Sequence, residues 1–293
     1  MQNTKQTNFS ENIMQTIFFL SAFISVLAVL AICLFLFMRG IPAIGEIGFM
    51  DFIFNEKWGP TNTPASYGIL SMIVGSIYVT GGAIVIGVPI GLLCAIFLAE
   101  FCPDNIYKFV KPAVNLLAGI PSIIYGFFGM EVVVPFVREN MGGNGYSIMS
   151  ASIILGIMIL PTIISISESS IRAVPGSYAE GSYGLGATKE ETIFKVVLPA
   201  AKSGVLTSII LGIGRAIGET MAVVMVAGNA VMPLDKIEIL KPIRTLTTNI
   251  VTEMSYASGL HESALISTGV VLFVFIIILN ASLSLIKLKA QRN

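Results

Sequence analysis

Long apolar stretches separated by short polar segments dominate the pattern of this sequence. A helix of about 20 apolar residues spans the ~30 Å hydrocarbon core of a bilayer, because each residue adds about 1.5 Å. Six stretches reach that length, so the pattern predicts an all-α, polytopic membrane protein with six transmembrane helices. The predicted helices cover about 17–38, 69–99, 112–130, 148–167, 205–229 and 263–286.

Two of the predicted helices contain signals for a bend. The second lies in the uncharged run Tyr67–Ala99, which is longer than the bilayer core and contains Pro89, the expected kink. The third contains Gly119-Ile-Pro121, where the proline disfavours a helical residue before it. We therefore expect both helices to depart from straight rods.

Composition supports the same class of protein. The chain is 55% hydrophobic and 12% charged, with a mean hydropathy of +0.86, whereas soluble domains carry about 25% charged residues. Its formal net charge of zero argues against a nucleic-acid partner. Of the three cysteines, Cys33 and Cys94 lie in apolar runs, which favours packing over a disulfide framework.

Lysine and arginine predict the orientation of the chain, because they accumulate on the cytoplasmic side of a membrane. They are more frequent on the side that holds both termini and Ser177–Lys202. The sequence thus predicts a cytoplasmic N-terminal tail over 1–16 and a single transmembrane domain over 17–293, with both termini cytoplasmic. The first apolar run exceeds the hydrophobic region of a signal peptide, so we interpret it as a retained helix.

The polar segment 175–200, between the fourth and fifth predicted helices, predicts two short helices outside the membrane. Gly186 suits the left-handed residue that ends a helix, and Thr188 and Glu191 match the capping box that begins the next. Pro199 is expected to stop that second helix. The pattern alone leaves two arrangements open, a projecting lever and an amphipathic loop on the membrane surface.

Arg215 and Glu219 place charge inside the fifth predicted helix, near the middle of the bilayer. Their i, i+4 spacing predicts one shared helical face, and such charges should face protein or a water-filled path. Gly214 and Gly218 form a GxxxG edge that would let a neighbouring helix approach closely. Two functions remain open, a substrate path and a self-neutralising pair that only locks the helices together.

The 175–200 segment resembles the coupling loop of permease subunits in ATP-binding-cassette (ABC) importers, whose pattern is E-A-A, three residues, G, nine residues, I-x-L-P. The matching residues are Glu180, Gly186, Leu198 and Pro199, and the departures are Gly181, Ser182 and Val196. Longer motifs resemble the phosphate-specific, PstC-like permeases of that family. These motifs are 87–92, 98–100, 119–129, 198–205 and 212–223, and the resemblance covers roughly residues 68–286.

This resemblance implies the type I ABC importer permease architecture and the transport of inorganic phosphate across the cytoplasmic membrane. The implied partners are a homologous second permease subunit, a dimeric cytoplasmic ATP-binding subunit and an extracytoplasmic phosphate-binding protein. The chain has no Walker motif, so ATP hydrolysis would fall to the partner, and no cofactor is expected.

The resemblance also implies roles for particular residues. Arg215, Glu219 and Thr220 are expected to line the substrate path, where a guanidinium can bind two phosphate oxygens at once. Glu219 would neutralise Arg215 in the empty path and accept a hydrogen bond from a protonated phosphate oxygen. The expected contacts with the ATPase are Glu180, Gly186, Ile193, Phe194, Val196, Leu198 and Pro199.

Other functions are weighed against this one. A permease for another oxyanion, such as sulfate or molybdate, or the sister phosphate subunit remains the alternative. An intramembrane hydrolase would need a nucleophile with a base, and neither a G-x-S-x-G turn nor an intramembrane histidine occurs in the sequence. His261, the only histidine, has no HExxH motif or Cys/His cluster around it, so no metal site is predicted.

Overall fold

The computed structural model describes the backbone of residues 3–292 and most side chains from residue 11 to residue 285. A short antiparallel hairpin pairs β1 (Trp58–Gly59) with β2 (Ser66–Tyr67). The helices are α1 Asn3–Ile47, α2 Phe49–Phe54, α3 Leu70–Ile96, α4 Asp104–Gly119, α5 Ser122–Phe128, α6 Val134–Asn140, α7 Ile148–Arg172, α8 Gly176–Gly184, α9 Lys189–Thr192, α10 Leu198–Gly218, α11 Met221–Val226, α12 Leu246–Glu253 and α13 Leu260–Arg292. Three π-helical turns occupy Phe97–Phe101, Gly129–Val133 and Ile193–Val197, and a 3₁₀ turn covers Leu234–Lys236.

Five helical stretches among the described residues are long and apolar enough to cross a membrane. They are Glu11–Ile47, Leu70–Phe101, Ile148–Arg172, Lys189–Gly218 and Leu260–Ser282. A sixth span results if the bent pair Asp104–Gly119 and Ser122–Asn140 counts as one. The predicted all-α, polytopic class is therefore confirmed. Pro89 lies inside α3, which continues past it to Ile96.

The predicted bend at Gly119-Ile-Pro121 is confirmed, and it divides the region predicted as the third helix, 112–130, between two helices. α4 ends at Gly119, Ile120 is extended (φ −69, ψ 126), and the helix after Pro121 runs at 99° to α4. Pro121 causes the break, because its ring disfavours a helical residue before it and because it has no N–H to donate. The apolar part of this region runs instead through α5 and α6, which a π-helical turn joins.

α7 is the central helix of the bundle and packs against both α3 and α10. Glycines make the close approach possible, since a Cβ added at Gly87 of α3 would lie 2.8 Å from the carbonyl oxygen of Gly156 in α7. On the other side, a Cβ at Gly212 of α10 would lie 3.1 Å from Ile163. Small residues thus bring three helices together, as is usual where lipid removes the hydrophobic drive for helix association.

α1 lies at the edge of the bundle against α13. Ser267 of α13 donates a hydrogen bond of 2.7 Å to the carbonyl oxygen of Gly40. Much of α1 exposes large apolar side chains such as Phe18, which is 64% exposed. The helix already includes most of the predicted tail over 1–16, from Asn3 onward, while residues 1 and 2 lie outside the described part of the chain.

The prediction that Pro199 stops the helix beginning with α9 is wrong. The helix continues past Pro199 to Gly218. The π-helical turn Ile193–Val197 explains the difference. Leu198 donates to the carbonyl oxygen of Ile193, one residue further back than in an α-helix. This wider turn accommodates a proline ring, which in an α-helix would clash with the carbonyl group four residues before it.

The predicted fifth helix over 205–229 is interrupted. α10 ends at Gly218, Glu219 is extended (φ −71, ψ 132), and Thr220 is also non-helical (φ −123, ψ −56) before α11 begins. The sequence pattern gives little signal for this break, because it has no proline there. Gly218 is the weak point, since glycine is the poorest helix former after proline.

Candidate functional site

The break between α10 and α11 carries the charged residues predicted to line a path. Arg215 lies partly buried in the last turn of α10, where its Nη1 atom is 3.5 Å from the hydroxyl oxygen of Thr162 in α7. A cation is favoured at this position, because the carbonyl groups at the end of a helix carry partial negative charge. Lys202 is the last charged residue before Arg215 and marks the start of the apolar part of the helix. At ~1.5 Å per residue, Arg215 lies roughly 20 Å further along the helix, which places it at membrane depth.

Glu219 lies on the other side of the helix end and has partners of its own. One of its carboxylate oxygens accepts a hydrogen bond of 3.4 Å from the N–H of Ala222, in the first turn of α11. Its main-chain oxygen accepts a hydrogen bond of 3.2 Å from the hydroxyl group of Thr247 in α12. The residue therefore connects the end of α10 to two other helices.

The predicted placement of Arg215 and Glu219 on one helical face is wrong. The i, i+4 spacing brings side chains together only within a continuous helix, and α10 ends between the two residues. Among the salt bridges of the described residues, none joins them. The self-neutralising lock is thus absent from this part of the structure, and the two charges occupy separate surroundings.

Thr220, the third residue predicted for the path, lies in the break itself. Its hydroxyl oxygen is 3.3 Å from the carbonyl oxygen of Gly218. Backbone outside a helix is tolerated at membrane depth only where protein surrounds it or where water reaches it. In transporters, interrupted helices of this kind lie where substrate and ions bind.

A small cavity of about 10 Å³, with both polar and apolar side chains in its wall, lies beside the break. Glu219 and the hydroxyl-bearing residues Ser76, Thr80, Thr245 and Thr247 contribute to its wall. Thr245 and Thr247 lie beyond the predicted fifth helix, where the apolar pattern gives no signal for a path. The threonine-rich run at the start of α12 is the signal that could have found them.

Gly214 and Gly218 do not pack against another described helix of this chain. A Cβ added at either glycine would meet nothing within 4 Å. Their GxxxG edge is therefore an open surface of the chain, and the close glycine contacts lie in α3 and at Gly212 instead.

The 175–200 segment has the predicted turn between its helices. Gly186 follows α8 with φ +85, a left-handed conformation that glycine adopts without strain. Thr188 and Glu191 form the predicted capping box at the start of α9, with both reciprocal hydrogen bonds present. These details confirm the two-helix arrangement of the segment.

Contacts between α8 and the following helix fix the turn at Gly186, which is called the corner below. The hydroxyl groups of Ser182 and Thr192 are 2.9 Å apart and buried. Ile193 and Val197 turn inward and are only 1% and 5% exposed. Leu185 instead projects from the tip and is 91% exposed. The segment thus exposes the apolar side chain of Leu185 at a turn that buried contacts hold in place.

The residues predicted to contact an ATPase are distributed between the interior and the surface. Ile193 is buried in the chain's own packing, whereas Phe194 is 54% exposed. Glu180, Gly186 and Pro199 are exposed, and Val196 and Leu198 are partly buried.

A buried carboxylate supports the base of this segment. Glu168, near the end of α7 and 2% exposed, pairs with Lys111 of α4 at 2.7 Å and with Arg172 at 2.6 Å. Tyr107 donates a third hydrogen bond to it at 2.9 Å. Arg172 also donates to the carbonyl oxygen of Leu98 at 2.7 Å. This network ties α4, α7 and the end of the α3 stretch together just before α8.

A second buried carboxylate, Glu253, lies beyond the other end of α10. It accepts hydrogen bonds from the indole of Trp58 (2.8 Å) and from Arg244, and it pairs with His261 (2.9 Å). Burial by itself would raise the pKa of the Glu253 carboxyl group, but the bonds from Trp58, Arg244 and His261 outweigh it and lower the pKa. Glu253 therefore ties the β1 strand, α12 and the start of α13 together as a carboxylate.

Comparison with known proteins decides the family. Residues 87–291 match the profile of the binding-protein-dependent transport system inner membrane component. The chain belongs to this family. It is thus a multi-pass, inner-membrane transport component.

Curated relatives cover most of this permease. A probable ABC transporter permease protein, YqgH of Bacillus subtilis, is 39% identical over 257 residues, which are 86% of this chain and 83% of that protein. The phosphate transport system permease protein PstC of Mesorhizobium japonicum is 36% identical, over 87% of this chain and 84% of the relative. That of Pasteurella multocida is 37% identical, over 76% and 75% of the two chains.

Solved structures share the fold of this permease. A chain of the MetNI methionine ABC transporter, in an inward-facing conformation, has a TM-score of 0.61 at 21% identity and covers 76% of this chain and 95% of its own. A bacterial ABC transporter involved in alginate import has a TM-score of 0.65 at 12% identity, over 96% and 99% of the two chains. The architecture is that of the type I ABC importer permeases.

Proposed function

We propose that this chain is a permease subunit of an ATP-driven importer that carries inorganic phosphate across the cytoplasmic membrane. Its proposed partners are a homologous second permease, a dimeric cytoplasmic ATP-binding subunit that hydrolyses ATP, and an extracytoplasmic phosphate-binding protein. The observation that carries the proposal is the position of Arg215, a cation at membrane depth beside an interrupted helix. Relatives that are named phosphate transport permeases support the choice of anion.

Arg215 is proposed to receive the phosphate ion. Its guanidinium is planar and permanently charged, so it can donate two parallel hydrogen bonds to the oxygens of one phosphate. Among the hydrogen bonds of the described residues, Arg215 makes one, the long contact with Thr162. Its donors are therefore largely available to a ligand, in contrast to the donors around Glu168.

Glu219 and Thr220 are proposed to complete the path. A carboxylate accepts a hydrogen bond from a protonated phosphate oxygen, and it also repels an anion that binds too tightly. Because Glu219 is separated from Arg215 by the helix end, it acts on the ion from a second direction. Thr220, next to Glu219 in the break, offers a hydroxyl group that can donate to or accept from phosphate.

The 175–200 segment is proposed to contact the ATPase on the cytoplasmic side, with both termini on that same side. Support for this contact comes from the exposed Glu180, Phe194 and Leu185 on a corner that hydrogen bonds hold rigid. The division into a tail over 1–16 and a permease domain over 17–293 remains part of the proposal.

Substitution of Arg215 tests the proposal in the complex reconstituted into lipid vesicles. Arg215→Lys keeps the charge but loses the paired hydrogen bonds, so phosphate uptake should fall at least about tenfold, the equivalent of about 1.4 kcal/mol. Arg215→Met should abolish uptake, while the amount of assembled complex stays unchanged. Arg138→Lys, at an exposed arginine of α6, is the matched control and should leave uptake intact.

Near-normal phosphate uptake by Arg215→Met would overturn the proposed path. Uptake of sulfate and molybdate is measured in the same vesicles, with the binding protein present, because a permease for another oxyanion is the alternative. Transport of either ion in preference to phosphate would replace phosphate as the assigned substrate.

A further inference from the structure

The polar groups around the small cavity come from three separate parts of the chain. Ser76 belongs to α3, Glu219 to the break after α10, and Thr245 and Thr247 to the start of α12. Ser76 and Thr247 are each 7% exposed, and Thr245 is 5% exposed. Burying hydroxyl groups is costly unless they find partners, and all three have partners here: Ser76 donates to the carbonyl oxygen of Met72, Thr245 caps the start of α12, and Thr247 donates to Glu219.

Two hydrogen bonds hold α12 over the cavity. Ser76 accepts one of 3.0 Å from the N–H of Leu246, and Thr247 donates one of 3.2 Å to the main-chain oxygen of Glu219. The hydroxyl groups of Thr245 and Thr247 are also 3.0 Å apart. These bonds use the hydroxyl groups that would otherwise face the cavity.

The cavity is closed in this structure. A volume of about 10 Å³ gives room for about one water molecule, and a phosphate ion is several times larger. The first turn of α12 lies against Ser76 and Glu219, whereas Glu253 anchors the other end of the helix, so opening the cavity requires movement of the first turn. Withdrawal of this turn would break both hydrogen bonds and uncover the hydroxyl groups together with the Glu219 carboxylate.

We propose that Ser76, Thr245 and Thr247 form an uncharged anion-binding subsite of the transport path, which the first turn of α12 closes in this structure and uncovers when it withdraws from the helix break. The proposal rests on the proposed phosphate transport and adds residues to its path. Hydroxyl groups donate to phosphate oxygens and accept from protonated ones, so the subsite takes either protonation state of phosphate. Without a cation it holds the ion loosely, which lets the ion exchange with Arg215.

Thiol labelling of the assembled complex tests the subsite. Cys33, Cys94 and Cys102 are first replaced by alanine, and Thr247→Cys is then introduced. We expect a water-soluble thiol reagent to label this cysteine during ATP hydrolysis and not without nucleotide. Inorganic phosphate should slow the labelling by at least about fivefold, the lower range of typical coupling between two ligands, and an equal concentration of chloride should not.

Thr252→Cys is the matched control. Thr252 lies on α12, but its hydroxyl group donates to the carbonyl oxygen of Thr248 in the same helix (2.8 Å) and does not line the cavity. Phosphate should leave the labelling of this cysteine unchanged. If phosphate slowed both cysteines equally, or neither, the subsite would be refuted.

Uptake by hydroxyl variants supplies an independent measurement. Thr247→Val removes the hydroxyl group at nearly constant shape and should lower phosphate uptake at least about fivefold at equal complex abundance; Thr247→Ser should restore it. Normal uptake by Thr247→Val would refute the subsite. Failure of the unmodified complex to transport phosphate would refute the proposed function itself, so the two failures are distinguishable.

Discussion

Glu168 and Glu253 are each surrounded by several hydrogen-bond donors, whereas Arg215 has one hydroxyl group within 3.5 Å among the described residues. The two carboxylates are therefore satisfied by the fold itself. Arg215 lies at membrane depth, where an isolated charge costs at least ~2.5–3.5 kcal/mol. In the proposed function, the phosphate ion supplies the opposite charge.

The Glu253 network predicts a loss of stability in acid. Its pKa is below the ordinary value of 4.5, so the stabilisation is complete above about pH 4.5 and is lost as the pH falls through the lower, folded-state value. Glu253→Gln should destabilise the complex at pH 7 by on the order of 2 kcal/mol, since hydrogen bonds to a charged group contribute about 1.5–3 kcal/mol. The thermal unfolding midpoint of both proteins from pH 7 to pH 3.5 checks this.

The difference between wild type and Glu253→Gln should shrink as the carboxylate becomes protonated. Glu262→Gln, at an exposed carboxylate near the start of α13, is the control and should follow the wild-type curve. A difference in unfolding midpoint that stayed constant down to pH 3.5 would contradict the predicted loss of the Glu253 stabilisation in acid.

The sequence identified Arg215 and Glu219 as candidates because charge inside an apolar stretch is conspicuous, and the family resemblance added Thr220. The sequence misjudged the geometry of the two charged residues, because the i, i+4 rule assumes a continuous helix and Gly218 ends α10. Thr247 was missed for another reason. Its contact with Glu219 joins residues far apart in the chain, and a pattern of periodicity contains no information on such contacts.

At the scale of elements, apolar length predicted the long helices well, since the bilayer itself selects for it. The caps at Gly186 and Thr188 were also predictable, because their hydrogen bonds are local. The continuation of the helix past Pro199 was not predictable from the sequence. A π-helical turn depends on how the helix packs on both sides of the proline, and no local residue pattern specifies it.

The corner at Gly186 predicts a defect in coupling. Gly186→Val places a β-branched residue at φ +85, which costs about 1–2 kcal/mol and displaces α8 relative to α9. Membrane insertion should continue, while phosphate uptake per ATP hydrolysed should fall at least about fivefold. Uptake and ATP hydrolysis are measured together in reconstituted vesicles.

Gly181→Ala is the control for this substitution, because Gly181 is an exposed, helical residue of α8 with nothing within 4 Å of an added Cβ. Coupling should be unchanged in this variant. If Gly186→Val also showed a normal ratio of phosphate uptake to ATP hydrolysis, the corner would have no part in coupling.

At the scale of the whole molecule, open surfaces point to assembly. Gly214 and Gly218 have nothing within 4 Å of an added Cβ, and Gly214 lies inside α10 away from the break, so Gly214→Leu should leave the chain folded. If this edge packs against the second permease, the bulky side chain prevents the approach of its helix. Co-purification of the partner permease and of the ATPase should then be lost.

Gly45→Leu serves as the control, since Gly45 of α1 also has nothing within 4 Å of an added Cβ and lies outside the GxxxG edge. It should co-purify with the partners normally. Recovery of the complete complex from the Gly214→Leu variant would exclude this edge from the interface.

The π-helical turn Ile193–Val197 has a consequence for the angular register of the molecule. Each residue of an α-helix rotates the chain by about 100°, and a π-helical turn absorbs one additional residue in an otherwise regular helix. Removing one residue there would convert the turn to α-helix and leave the corner at Gly186 in nearly the same direction relative to Arg215, because the turn absorbs the extra residue locally. Removing one residue from the regular α-helix between them would instead rotate the corner by about 100° relative to Arg215.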